Sequence, residues 1–421
     1  MGIDVLSLLI FGFCIILFVS DKLPMATTAI LGCALMVIFR VCDFKTAFSQ
    51  FSSSTVVLTI GVMIIGAAIS ECGLAEETGA WIVRISEGSE GKLMAGTYLV
   101  SAAMSAFLTN SAVLAIFIPI IMGLSLAHEK LESKNLIMPI AMGCVLGGTS
   151  TLVGSTQQLT AQGLLEEAGE RMFRTFDFTP IGGLIVLVGL VYCLTIGRRL
   201  GEKIWGGRPD EEYELKPDAM NYSKSKMIIM AVIFVMTVVL YITEWIPLAI
   251  TSTSGALLCI IFRCITQKKA ILSVNWNIVG RLGGCLGLAK ALESAGGTKL
   301  IADAFTHLMG SRTSPFVLFA VLCLLVLVTS EFMSNSTAIL IILPILIALA
   351  PELHLNVYSY ALGITIASGV PMSCPLASST LGMSMTAGYR FNDYFKYGFL
   401  MDVISYTLII TLIPMFYGLT V

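Results

Sequence analysis

Apolar runs of bilayer-entering length recur along the whole chain. They lie near residues 3–20, 25–40, 55–72, 93–125, 136–160 and 178–197, then again near 227–243, 247–262, 276–292, 315–350, 357–387 and 396–418. Inside a bilayer no water satisfies backbone N–H and C=O groups, so runs of this kind must fold as helices. The composition agrees: 56% of the 421 residues are hydrophobic and 12% are charged, about half the charged share of a soluble domain. An all-α polytopic membrane protein is therefore expected. The net charge of −2 leaves no electrostatic footprint for nucleic acid. Eleven cysteines are scattered singly through apolar segments without metal or redox spacing, and read as small hydrophobes. The histidines (His128, His307, His354) fall near segment ends and suggest no metal centre. No basic region precedes the first apolar run, which reads as a retained helix and not as a signal peptide.

Two of these runs are too long for one span, and a small polar triplet breaks each. Thr109-Asn110-Ser111 and Ser334-Asn335-Ser336 are both followed by a proline nine residues after the asparagine, Pro119 and Pro344. Two half-membrane helices forming a re-entrant hairpin fit such a pattern. The flanking segments repeat as well. Pro24, Gly32, Phe39, Arg40 and Gly73 match Pro247, Gly255, Phe262, Arg263 and Gly296 at a constant offset of 223, as Gly154 matches Ala377. The expected organisation is a first repeat, 1–200, with its hairpin near 93–125 and a broken helix near 136–166. A cytoplasmic linker, 201–223, joins it to a second repeat, 224–421, with its hairpin near 315–350 and a broken helix near 357–387.

Five full spans plus a non-crossing hairpin in each repeat would invert the second repeat relative to the first. With the linker cytoplasmic, seventeen Lys/Arg lie inside and six outside, the sense that the positive-inside rule requires. Both termini are then extracytoplasmic. Arg281 and Lys290 fall within a span and are expected to snorkel to its ends.

The fifth span of each repeat is itself interrupted, by GGTSTLVGSTQQLTAQG from Gly147 and SGVPMSCPLASSTLGMS from Ser368. Broken backbone at membrane depth frees amides and carbonyls as ligands. Helix N-termini at Asn110 and Asn335 would suit an anion, and nearby carbonyls and hydroxyls a hard cation such as sodium. A lone Asn in a membrane helix usually serves as inter-helix glue, and Gly/Ser-rich spans as close packing. The joint recurrence of triplet, proline and broken span favours a binding site. Glu331 is the ionisable residue closest to these elements, either functional or solvated and incidental. Scarce intramembrane acids favour bound cations over side-chain protons as the coupling charge. An enzyme would need a nucleophile or acid–base pair at depth, and no Ser/His, Asp/Asp or HExxH set occurs. An anion channel stays open.

The paired triplets resemble the Ser-Asn-Thr signatures of the divalent-anion/sodium symporter family. Gly283–Gly297 (GGCLGLAKALESAGG) resembles its mid-chain segment, and Gly147–Ser155 (GGTSTLVGS) its first broken helix. The resemblance covers essentially the whole chain. It implies a homodimeric elevator carrier, in which a transport domain slides against a scaffold with sodium and a dicarboxylate, citrate or sulfate. By position, Asn110, Ser111, Ser155, Asn335, Ser336 and Ser378 would contact substrate. Sodium would draw on Thr109, Asn110 and Gly154 in the first repeat, and on Asn335 and Ala377 in the second. The first triplet opens with Thr, both close with Ser, and the prolines that the family places in its broken spans are replaced by Ser155-Thr156-Gln157-Gln158 and Ser378-Ser379-Thr380-Leu381. Gly388–Tyr394 resembles the sulfate-type branch of that family, although the linker is too short for that branch's regulatory domain.

The sequence thus points to sodium-coupled symport of succinate, malate, citrate or a similar anion. The alternatives are a sodium- or proton-coupled sulfate or oxyanion permease and an arsenite-permease-like efflux protein. A bacterial inner membrane is the expected location.

Overall fold

The computed structural model describes residues 2–20, 23–74, 77, 89–127, 132–206, 223–297, 300 and 314–420. His128 and His307 lie outside these residues, as does most of the expected linker.

The described residues are helical apart from connections and one isolated bridge, Leu355 to Thr420. The first series comprises α1 (Ile3–Ser20), α2 (Met25–Ile38), the short α3 (Phe44–Phe48), α4 (Ser54–Glu71), α5 (Glu90–Ser105), α6 (Asn110–Ala127), α7 (Ser133–Gly148), α8 (Thr156–Glu167) and α9 (Thr179–Tyr192). A π-turn at Cys193–Gly197 carries α9 into α10 (Arg198–Trp205). The second series comprises α11 (Lys224–Thr243), α12 (Leu248–Ile261), α13 (Gln267–Ser273), α14 (Trp276–Ser294), α15 (Pro315–Ser330), α16 (Asn335–Leu353), α17 (Val357–Gly369), α18 (Ser379–Ser384) and α19 (Phe391–Tyr417).

The second series repeats the order of the first, and the backbone repeats with it. Pro24 and Pro247, both at φ −53°, start α2 and α12, where a proline loses nothing because the first helical N–H groups have no partner. Arg40 and Arg263 stop these helices in the left-handed region, at φ 57° and 56°. Ser155 and Ser378 precede α8 and α18 with nearly the same extended dihedrals, φ −146° and −149°.

Among the described residues, five helical stretches are long and apolar enough to cross a membrane: Phe44–Glu71, Thr179–Trp205, Lys224–Thr243, Asn335–Leu353 and Phe391–Tyr417. α2 and α12, of 14 residues each, are shorter and end at the left-handed stops Arg40 and Arg263. The outgoing arms of the two expected hairpins have nearly the same length, 18 residues in α6 and 19 in α16.

The helices pack as two bodies. In one, α2 lies along α14 and α4 along α12, with α1 on α2 and α11 on α12. These contacts are reciprocal and run through glycine. A Cβ on Gly61 would lie 2.6 Å from the Ser252 backbone, and one on Gly284 would lie 2.8 Å from Ala29 Cβ. The offset of 223 converts the first pair into the second. It likewise converts Gly32 against Leu288 into Gly255 against Ile65. Small residues at these crossings let helix backbones approach where lipid offers no hydrophobic drive for association. In the other body, α5 packs on α7, α16 on α8 and α17, α15 on α17, and α9 on α7 and α19. Trp205 closes its end, buried against Tyr389 and Tyr397 and donating to Asn135 Oδ1 at 2.9 Å.

The two bodies meet chiefly along α8, which lies against α4 and α14. Ser54 donates to Glu166, and Lys290 pairs with Glu167 at 2.7 Å. All eleven cysteines are free, and all but Cys42 are buried, as expected for small hydrophobes.

Gly61→Val and Gly284→Val should each lower the melting temperature of the purified protein, by overpacking equivalent to about 1–3 kcal/mol. Gly12→Val, with no atom within 4 Å of its Cβ position, should leave it unchanged. Unequal losses at the two offset-related glycines would contradict the reciprocity of the contacts.

Candidate functional site

Both hairpins turn at the triplets. The backbone leaves α5 at Ser105 and re-enters a helix at Asn110; it leaves α15 at Ser330 and re-enters at Asn335. The fifth span of each series is interrupted between Gly148 and Thr156 and between Gly369 and Ser379. The structure brings all four breaks together.

Asn110 holds the first tip in place. Its Oδ1 accepts from Ser105 Oγ at 2.6 Å, and its amide donates to Ser155 Oγ at 3.4 Å. Gly148 is small because a Cβ there would sit 2.3 Å from that Oδ1. Each tip then reaches the broken span of the opposite series. Ser111 Oγ lies 2.7 Å from Ser379 Oγ and 3.4 Å from Thr380 Oγ1, while Ser336 Oγ donates to Thr156 Oγ1 at 3.1 Å. The N-termini of α6, α8, α16 and α18 therefore join in one hydroxyl-linked cluster. Each longer helix directs a partial positive charge at it.

The candidate sodium ligands are distributed unevenly. A Cβ on Gly154 would lie 2.6 Å from the Gly148 carbonyl oxygen and 3.0 Å from that of Ala106, so glycine there lets two carbonyls converge. Thr151 Oγ1 donates to the same Ala106 oxygen, and Gln158 Nε2 to Gly148 O at 3.0 Å. The carbonyl of Thr109 is spent on the first turn of α6, accepting from Ala112 and Val113 N–H. In the second series Ala377 is buried beside the α18 cap Ser378, whose Oγ accepts from Leu381 N–H at 3.1 Å. Asn335 Oδ1 is buried and has no hydrogen-bond donor, an oxygen left for a cation or water to satisfy.

Three ionisable side chains revise the sequence expectation. Arg281 does not snorkel. Its guanidinium turns to the second tip and the first broken span, donating to Ser334 Oγ at 3.1 Å and to Thr156 Oγ1 at 3.4 Å, with Nη1 also 3.7 Å from Met25 Sδ. Glycines 280 and 284 bring α14 close to Ala26 and Ala29 of α2, so Arg281 comes within reach of the second hairpin tip. Glu331 is not solvated either, being 7% exposed, with Oε1 accepting from Ser373 N–H at 3.2 Å and Oε2 without a donor. Asp402, on α19, was not singled out from the sequence. It accepts from Met372 N–H at 2.8 Å and from Ser373 Oγ, which places two carboxyl groups on one broken span. With Glu331 it faces a largely apolar cavity of ≈ 600 Å³. An acid deep inside a 27-residue apolar helix was the signal available in the sequence. Lys290 does reach a helix end, where Glu167 neutralises it.

The fold is shared with the YdaH transporter of Alcanivorax borkumensis, at a TM-score of 0.68 and 13% identity over 98% of both chains. The MtrF efflux pump of Neisseria gonorrhoeae aligns at 0.63 and 10% identity, over 91% of this chain and 84% of that one. Among curated relatives, the uncharacterized transporter YfbS of Escherichia coli is 30% identical over 46% of this chain, which spans 31% of YfbS. The sodium-dependent dicarboxylate transporter SdcS of Staphylococcus saprophyticus is 23% identical over 94% of this chain and 82% of its own length. The sequence profile of the citrate transporter family matches residues 15–367. With its apolar helices the chain is a multi-pass membrane protein, and it belongs to the citrate transporter family.

Proposed function

We propose that the chain is a sodium-coupled symporter of a small divalent anion such as succinate, malate or citrate. The observation that carries this reading is the reciprocal meeting of the tips, Ser111 with Ser379 and Ser336 with Thr156. Helix N-termini supply the anion's counter-field, and the Gly148 and Ala106 carbonyls with the unsatisfied Asn335 Oδ1 supply hard oxygens for sodium. In this reading Asn110, Ser111, Ser155, Asn335, Ser336 and Ser378 surround the anion. Thr109, Asn110 and Gly154 hold one sodium, and Asn335 and Ala377 a second. The name of SdcS supports the sodium and dicarboxylate assignment.

The contacts related by the 223 offset support two repeats inverted about an axis in the membrane plane, 1–200 and 224–421, joined by a cytoplasmic linker at 201–223. Both termini are then extracytoplasmic in a bacterial inner membrane. The limited interface along α8 supports an elevator, with the α2–α14 and α4–α12 body as scaffold and the hairpin body as the moving part. A homodimer completes the scheme. A second reading, proton coupling, is favoured by one observation: Glu331 and Asp402 share Ser373 in an apolar setting.

Proteoliposomes should accumulate labelled succinate only under an inward sodium gradient, with citrate and malate competing. Uptake indifferent to sodium would sink the cation assignment. Asn335→Ala should raise half-saturating sodium about tenfold, the loss of one charge-assisted oxygen contact. Under sodium coupling, Glu331→Gln and Asp402→Asn should keep the wild-type pH profile of uptake; a flattened profile would move the assignment to protons. A phosphatase fused after Val421 should be active outside the cytoplasm, and inactivity there would overturn the topology.

A further inference from the structure

The half-buried Arg281 is a cation without an anion. Its guanidinium nitrogens reach two neutral hydroxyls and a thioether, and its buried Nε has no acceptor. Among the described residues no carboxylate lies within ion-pair distance of it: the ion pairs of α14 and α8 are made by Lys290 with Glu167 instead. Glu331 and Asp402 are engaged with Ser373 and Met372 on the other broken span. A guanidinium withdrawn from water with only neutral partners is costly, and it persists where a ligand supplies the missing charge.

The surroundings fit such a ligand. Ser334 Oγ and Thr156 Oγ1 both accept from the guanidinium, and Thr156 Oγ1 also accepts from Ser336. Accepting in this way leaves the Ser334 and Thr156 hydroxyl protons free to donate elsewhere. The N-termini of α8 and α16 meet at the same place. An arginine fork beside hydroxyl donors and helix N-termini is the arrangement that takes a carboxylate or other oxyanion by two parallel hydrogen bonds. The residue 223 positions earlier is Leu58, so the other repeat supplies no matching cation and the site is charged at one end.

We propose that Arg281 is the charge-recognition residue of the site, taking one oxyanion group of the transported anion. It acts from α14, in the body that packs apart from the hairpins. The anion therefore bridges the two bodies at Ser334, Thr156 and Arg281. This rests on the anion-symport reading and adds to it a residue outside both triplets and both broken spans.

The test compares wild type, Arg281→Lys and Arg281→Gln as purified full-length proteins, melted in detergent with sodium alone and then with succinate, citrate or sulfate added. Wild type should be stabilised by at least one anion. Arg281→Gln should need about 10- to 100-fold more of that anion for the same stabilisation, the loss of a bidentate charged contact, with Arg281→Lys between the two. The sodium-induced shift should be unchanged, and the anion-free melting temperature of Arg281→Gln should equal or exceed that of wild type, because an uncompensated charge is gone. A purely structural arginine would instead lower the anion-free melting temperature, which overturns the proposal. If wild type and Arg281→Gln respond equally to the same anion, the proposal falls and the symport reading stands. If none of the three anions stabilises wild type, both fall.

Discussion

The backbone cannot be left bare in a bilayer, and among the described residues four helix breaks, at the two triplets and the two interrupted spans, come together. Their polar groups are satisfied largely by one another. The tip of the first hairpin is closed by Asn110 against Ser105 and Ser155, and the tip of the second rests on Arg281 through Ser334. The broken spans in turn use the tips of the opposite series as partners, through Ser111 and Ser336. A cluster formed for this reason gathers hydroxyls, amides and helix N-termini in one place.

Packing around the cluster follows from small residues. Gly147 and Gly148 let α7 approach α5 and the Asn110 tip, while Gly363 lets α17 lie on Phe319 of α15. Glycine costs helix propensity in water, but in a membrane close backbone approach is the main source of association between helices. The same device joins α4 to α12 and α14 to α2, so both bodies rest on close helix contacts, while the interface between them along α8 is more polar. The surface shared along α8 combines the polar contacts of Ser54, Glu166, Glu167 and Lys290 with a close approach of Gly163 to Leu286.

The ionisable residues divide the labour. Lys290 has found a carboxylate, and Glu331 and Asp402 have found Ser373. Arg281 has found only hydroxyls and a thioether. The two carboxyl groups converge on Ser373 in the second broken span, whereas the guanidinium reaches Thr156 of the first broken span and Ser334 of the second tip.

Much of this was legible in sequence. The triplets mark the helix starts at Asn110 and Asn335 to the residue, because a small polar residue ahead of an apolar run is where a helix can begin. The constant offset of 223 anticipated the paired stops at Arg40 and Arg263, since local backbone conformation is set by near neighbours. What the sequence could not decide was where long side chains go. Arg281 and Lys290 sit on the same helix in the same apolar run, and composition gives both the same fate. The tertiary structure sends one to the Ser334 tip and the other to Glu167, because the partners that decide it are 53 and 123 residues away along the chain. Asp402 was hidden for the same reason: its partners Met372 and Ser373 come from a break that only the folded packing of α19 brings beside it.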